Sequence, residues 1–463
     1  MASRFWVETL GCPKNQVDSD KILGTLLADG MVPAASVEQA DLVVVNTCAF
    51  IDEARQESVD TVIALSDARR EGARVVVTGC MAERYGDELA EALDGEGVLL
   101  PADAVAGFGV PVTLGRKPEQ ASRSLLAVDP GVPSFDLLNL PRPASAAPWA
   151  YVKVAEGCDR NCGFCAIPSF RGPQRSRSVA DILAEVDALV HPTTPSTPTG
   201  DAAADVREIV LVAQDLASYG RDQGQGTKQI VELVKAVATR VERTRLLYLY
   251  PSDLTDALVD AILATGVPYF DLSLQHVSRP LLRRMRRWGD GDRFLERIAS
   301  IRAAEPDATF RSNFIVGYPG ETEADHDALL AFVAAARVDW CGFFAYSSEV
   351  GTYAADLDGA VDPALRGERL AELRELQDGI TAARRDELIG SEVEVLVDTP
   401  GHARSHREAP EIDGIITVPT DRPTGTLATV RIADALGPDL VGEWTDAAAV
   451  GAAPTAGSAV DAR

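Results

Sequence analysis

Three cysteines fall within eight residues, in the run Cys158-Asp159-Arg160-Asn161-Cys162-Gly163-Phe164-Cys165. Thiolate is a soft ligand suited to iron–sulfur clusters and to zinc. No His or Asp completes a local four-ligand zinc set, although Asp159 is adjacent and distant residues could contribute. A four-iron cluster has four corners to ligate. Three local thiolates would leave one iron open to a cofactor that chelates through an amine and a carboxylate. A second set of three is dispersed. Cys12, Cys48 and Cys80 each follow the carboxyl end of a predicted strand. In an open parallel sheet those ends lie on one edge, where ligands bind. The pattern predicts three thiols that converge on folding into a second cluster site. Cysteine is also a common buried residue, but its recurrence at three equivalent strand ends argues against burial as the whole explanation.

The elements that must position these thiols are legible as alternating strand and helix. Residues 1–130 carry strands over 4–9, 41–46 and 74–78, with helices over 17–27, 52–70 and 83–93. The alternation predicts an α/β domain with a parallel sheet and right-handed crossovers. Residues 131–147, rich in proline, read as a linker. From 148 to 387 six strand–helix units follow, with strands over 151–156, 208–214, 245–250, 269–275, 310–317 and 341–346. Intervening helices are expected over 179–190, 229–241, 253–264, 280–304 and 323–336. Six units suggest a partial (β/α)6 barrel, whose sites sit at the carboxyl ends of the strands. Cys158 falls in the loop after the first of them. A low-complexity stretch over 191–205 reads as a mobile surface insertion. A charged helix over 365–388 leads to short strands over 391–398, 414–418 and 425–432, a small all-β barrel within 388–446. Residues 447–463 read as a disordered tail.

The chain has 463 residues, 46% hydrophobic and 25% charged, as expected of a soluble globular protein of several domains. No apolar run of about 18 residues is present, so no membrane span is expected. Strand-like sequence begins at Arg4, leaving no room for a signal peptide. The cytoplasm is the expected location, and seven cysteines in so long a chain do not read as a disulfide framework. The net charge of −26 speaks against a nucleic-acid footprint and favours a basic protein partner, although net charge also serves solubility alone. Between Leu388 and Asp446, eleven acidic residues face four arginines. A module that grips phosphate should be basic.

Taken together, the two cysteine sets and the all-β module resemble the methylthiotransferases of the radical S-adenosylmethionine (AdoMet) superfamily. That family joins an N-terminal three-cysteine domain, a radical-AdoMet barrel and a C-terminal TRAM barrel. The resemblance runs from Arg4 to Asp446. Leu10-Gly11-Cys12-Pro13-Lys14-Asn15, Val17-Asp18-Ser19 and Glu156-Gly157-Cys158 resemble the branch that modifies an aspartate of a ribosomal protein. The tRNA-modifying branch typically has Gln-Met in place of Pro13-Lys14, and Arg-Gly-Cys in place of Glu156-Gly157-Cys158. Further matches are Ile167-Pro168-Ser169, Leu274-Gln275-His276, the run from Phe314 to Thr322 and the run from Glu408 to Gly414. Asp20, Ala155 and the 191–205 stretch depart from the pattern without touching a cysteine.

The resemblance implies two [4Fe-4S] clusters. Cys158, Cys162 and Cys165 would hold the one that binds AdoMet, and Cys12, Cys48 and Cys80 an auxiliary one. It implies hydrogen abstraction from the β-carbon of an aspartate in a small-subunit ribosomal protein, then insertion of sulfur and a methyl group. Such a carbon has no proton acidic enough for a side-chain base, so no acid–base dyad is expected. An electron donor and a sulfur source are implied but not specified. Gln275, Arg311, Gly317 and Glu321 are candidate AdoMet contacts. Plainer readings stand beside them: a structural ion pair for Arg311 and a tight turn for Gly317-Tyr318-Pro319-Gly320-Glu321-Thr322. His276 is either a cofactor contact or structural, and Cys341 reads as a buried small residue. Two alternatives stand beside this reading. One is tRNA-adenosine methylthiolation by the same machinery. The other is a non-enzymatic iron–sulfur or zinc interaction protein.

Overall fold

The computed structural model describes residues 2–95, 97–98, 103–106, 137–193, 203–224 and 228–445. The expected tail over 447–463, most of the 191–205 insertion and the start of the 131–147 linker lie outside the described residues. Near the N-terminus, Leu42–Thr47 is a run buried on both faces, as suits a central parallel strand. It is flanked by Arg4–Thr9 and Arg74–Gly79, with Val32–Pro33 and Ala104–Val105 at the edges, in a five-stranded parallel sheet. The first helix is longer than the apolar pattern suggested. It spans Pro13–Ala28, with Cys12 as its N-cap, because proline is preorganised for a first helical turn. The third helix likewise begins at Cys80 rather than at 83. Two of the three dispersed cysteines therefore sit at helix N-termini, where the helix dipole favours a thiolate.

The central domain holds two three-stranded parallel sheets. One orders Arg243–Leu246, Glu208–Val212 and Trp149–Lys153; the other orders Tyr269–Gln275, Thr309–Val316 and Trp340–Ala345. A parallel bridge from Leu249 to Leu272 joins them. The six strands thus run in chain order as an open, partial barrel. The expected helix over 280–304 is in fact two, Arg279–Arg284 and Gly291–Ala304. Arg286 and Gly289 between them adopt positive φ, which ends the first helix. That break has a use: the Met285 carbonyl accepts from the Gly163 N–H at 2.8 Å, so the interrupted segment supports the cysteine loop.

The N-terminal domain spans the open side of the barrel and touches both of its edges. At the first strand, the helix Pro13–Ala28 packs on Trp149–Lys153. Beyond the last strand, Glu349 accepts from Arg55 at 2.8 Å and from Arg84 at 2.6 Å, both from the N-terminal domain.

The C-terminal segment forms a closed five-stranded barrel, reached along the helix Pro363–Asp386. Its loop Arg404–Asp413 docks on the central domain. Tyr151 donates to the Pro410 carbonyl at 2.8 Å, Trp340 to the Arg407 carbonyl at 2.7 Å and Tyr269 to Asp413 at 2.6 Å. Ala409 is buried there with Val17, Val210, Leu247 and Tyr269. Glu208, fully buried, accepts from Arg245 at 2.6 Å and from Arg404 at 3.0 Å. Burial alone would raise its pKa, but Arg245, Arg404 and Arg243 outweigh it and bring the carboxyl down to about 2 from 4.5. A carboxylate whose folded pKa is depressed adds stability above its unfolded value and loses it as pH falls toward the folded one. Glu208→Gln should therefore cost about 3–5 kcal/mol near neutrality, where the buried Arg245 guanidinium loses its counter-ion and Arg404 keeps Asp398 alone. Calorimetry should show the gap to wild type narrowing between pH 4.5 and pH 2, and a gap that does not change with pH would contradict this.

Candidate functional site

The dispersed triad is assembled at the carboxyl edge of the N-terminal sheet. Cys12 follows the strand Arg4–Thr9, Cys48 directly follows Leu42–Thr47, and Cys80 directly follows Arg74–Gly79. Gly11 lets the chain pass against Cys48. Its φ is +95°, and a Cβ there would stand 2.9 Å from the Cys48 Sγ. Asn15 ties the three strand ends together. Its amide donates to the carbonyls of Leu10 at 2.9 Å and Thr47 at 3.1 Å, and its Oδ1 faces Cys80 Sγ at 3.6 Å. Burial pushes Cys48 up to about 12, with Cys80 and Cys12 adding to the rise. Burial also raises Cys80. Cys12 goes the other way: burial would raise it, but Lys14, the Asn15 N–H and Arg171 hold it below the ordinary thiol value.

The contiguous triad lies in the loop after the first barrel strands. Gly157, at φ +75°, has its Cα so close to the Pro173 carbonyl that a Cβ would lie 2.1 Å from the oxygen. The loop is pinned by Cys158 N–H to Gly172 O at 3.1 Å and by Gln174 N–H to Asp159 at 3.0 Å. Arg160 donates to Asp215 at 2.6 Å and pairs with Asp253, which fixes the middle of the loop. Arg287 donates to Cys162 Sγ at 3.3 Å. Burial raises Cys158 to about 11 and Cys165 to about 12, and each also feels Cys162.

No group of three or more His, Cys, Asp or Glu side chains among the described residues stands arranged to hold a metal ion. The donor sets nonetheless suit a soft metal. Each is three thiols with guanidinium or ammonium groups beside it, and among the described residues no carboxylate is a hydrogen-bond partner of the sulfurs. Thiols are neutral when protonated, and deprotonation accompanies metal binding. Cationic neighbours favour that step.

A buried ion network joins the two triads. Arg171 ends the short helix Ile167–Arg171 that follows Cys165. It donates to Cys80 Sγ at 2.9 Å and Asn15 Oδ1 at 2.8 Å. It also reaches Asp18 and Glu156, each at 3.1 Å. Lys153 pairs with Asp18 and, at 2.6 Å, with Glu156. Gln214 donates to the other oxygen of Glu156 at 2.6 Å. The residues just before Cys158 and just after Cys165 are thus both tied to the dispersed triad.

The remaining sequence candidates divide. Arg311 is committed to Asp413 of the docking loop, so its ion pair is structural. Both oxygens of Glu321 are engaged, by the Gly317 N–H at 2.6 Å and by Arg369 at 2.9 Å; the turn reading accounts for both Gly317 and Glu321. Gln275 ends its strand at φ +70°. His276 is buried and accepts from the Ser278 N–H at 3.0 Å, and burial lowers its pKa to about 4. Cys341 packs against the central core. Asn15, Arg171, Lys153 and Arg287 were not singled out by sequence; only the motifs around Asn15 and Glu156 pointed toward this network.

Arg171→Met should leave Asp18 and Glu156 with Lys153 alone, at a cost of about 3–5 kcal/mol. Hydrogen exchange should rise at residues 13–19 and 155–158 together, whereas a rise confined to the substituted helix would show that the network does not join the domains.

The comparisons agree with this anatomy. The profile described as "Uncharacterized protein family UPF0004" matches residues 4–100, that of the radical SAM superfamily 152–333 and that of the TRAM domain 389–445. The ribosomal protein uS12 methylthiotransferase RimO of Moorella thermoacetica is 41% identical over 439 residues, 93% of this chain and 96% of that protein. Its namesake from Salinispora tropica is 40% identical, covering 89% of this chain and 87% of that protein. The Streptomyces coelicolor protein of the same name is 38% identical, covering 94% and 95%. At this identity, over nearly the full length of both partners, the chain belongs to the RimO family of radical-AdoMet methylthiotransferases.

Proposed function

We propose that this chain adds a methylthio group to the β-carbon of an aspartate in ribosomal protein uS12. The observation that carries the reading is the pair of thiol triads joined by one buried ion network, within a chain so similar to uS12 methylthiotransferases. In this reading Cys158, Cys162 and Cys165 hold a [4Fe-4S] cluster with AdoMet at its open iron. Cys12, Cys48 and Cys80 hold a second. Bound there, the two groups would supply a hydrogen-abstracting radical and a transferable sulfur with its methyl group.

What the chain itself does is position. Arg171, Asp18 and Glu156 fix the separation of the triads, and the cost of a misplacement on the order of 1 Å is steep in such chemistry. Arg160 and Arg287 hold the contiguous loop in shape. Gln275, at the carboxyl end of its strand, is the AdoMet contact kept in this reading; Gly317, Glu321 and Arg311 make the structural contacts described above. A substrate in the small ribosomal subunit implies a cytoplasmic location. No helix among the described residues is long and apolar enough to cross a membrane.

The tRNA alternative is not favoured by the relatives, nor by an acidic C-terminal barrel. Mass spectrometry of a deletion strain is the test. Loss of a methylthio group from uS12 supports the reading, and loss from tRNA nucleosides would overturn it. Within the protein, Cys80→Ala should abolish methylthio product while 5′-deoxyadenosine still forms, whereas Cys162→Ala should abolish both. Product from the Cys80 variant at wild-type yield would remove the dispersed triad from the chemistry.

A further inference from the structure

Two tyrosines run from one triad to the other. Tyr248 and Tyr250 flank Leu249, which is fully buried and makes the bridge to the next strand. The Lys14 ammonium stands 3.4 Å from the centre of the Tyr248 ring, and Lys14 is two residues past Cys12. The Tyr250 ring meets Arg160 at 3.9 Å and Arg287 at 4.2 Å, and Arg287 touches Cys162. Tyr248 holds a positive φ of 64°, a costly state for a bulky residue, and its N–H is fixed by Asp271 at 2.9 Å.

The cations around this junction are mostly spent. Arg160 pairs with Asp215 and Asp253, Arg171 with Asp18 and Glu156, and Arg311 with Asp413. Of the described cations at this junction, Arg287 and Lys14 make no ion pair. Arg287 lies against the contiguous triad. Lys14 lies on the dispersed side, half-buried, with the Tyr248 ring as its contact; Asp271 feels its charge without pairing to it. On the reading above, the substrate's reacting β-carbon must approach the dispersed triad, where sulfur would be delivered. Its γ-carboxylate is one bond away from that carbon. A carboxylate brought among thiolates is repelled and desolvated unless a cation meets it.

We propose that Lys14 is the anchor for the side-chain carboxylate of the substrate aspartate, and so selects aspartate at this site. The proposal rests on the function stated above. An ammonium is a point charge that adapts to an arriving anion, and the Tyr248 face holds it ready without neutralising it.

The test compares two forms of uS12, with aspartate or asparagine at the target position, binding to the reconstituted full-length chain, read by fluorescence anisotropy. A charge-assisted contact predicts that the wild type prefers the aspartate form by about 10- to 100-fold. Lys14→Met should bring the ratio to within about threefold without weakening the asparagine form, and Lys14→Arg should retain most of the preference. A Lys14→Met chain that keeps the wild-type ratio overturns the anchor. So does a wild type that methylthiolates uS12 yet binds both forms equally. A wild type that binds neither form overturns the substrate reading, and the anchor with it.

Discussion

Four charged side chains buried at one junction set the geometry of everything else. Asp18 from the N-terminal helix, Lys153 and Glu156 from the start of the barrel, and Arg171 from the helix after the cysteine loop share four ionic contacts. Removing such charges from water costs several kcal/mol each, and only mutual pairing repays it. Two acids against two bases make the group self-neutralising, so it stays charged; Glu156 is held well below the usual carboxylate range because Arg171 and Lys153 outweigh its burial. A well-packed apolar junction would be as stable. What the ionic one adds is direction, since each pairing requires a particular placement of N-terminal domain against barrel.

Direction is what the proposed two-cluster chemistry would demand. The network's outermost contact is a thiol, Cys80, and its attachment points flank Cys158 and Cys165. The remote clamp of Arg55 and Arg84 on Glu349 acts at the opposite edge of the open barrel. Between them the N-terminal domain has little freedom to rotate. The C-terminal barrel works from the other side. Several of its acids are not available to attract a basic partner, because Asp413, Glu394 and Glu408 pair with Arg311, Arg243 and Arg385. Its acidity is therefore partly a means of attachment to the central domain.

The sequence made the cysteines legible for two distinct reasons. The contiguous triad shows itself by spacing. The dispersed triad shows itself by recurrence after each apolar strand, once the strands are read from their continuous runs. The partners were not legible. Arg171 and Lys153 are ordinary basic residues until folding brings Asp18 to Lys153 across 135 positions, and Glu349 meets Arg55 across 294. The break in the expected 280–304 helix lies at Gly289-Asp290-Gly291, a local stop-and-restart signal inside an otherwise helical pattern: Gly289 takes a positive φ, Asp290 caps the next helix through the Arg293 N–H, and the interruption sets the Met285 carbonyl and Arg287 against the cysteine loop. Arg311, read as a candidate cofactor contact or a structural ion pair, makes the second with Asp413 of the docking loop.

The central proposal is that two clusters are held side by side by separate thiol triads. Electron paramagnetic resonance of the anaerobically reconstituted, chemically reduced full-length chain tests it most directly. Two reduced clusters in one junction should give a spectrum broadened by their mutual coupling, and replacing Cys12, Cys48 and Cys80 together should leave a single, sharpened signal. A spectrum that is the same with and without those three cysteines would contradict the account.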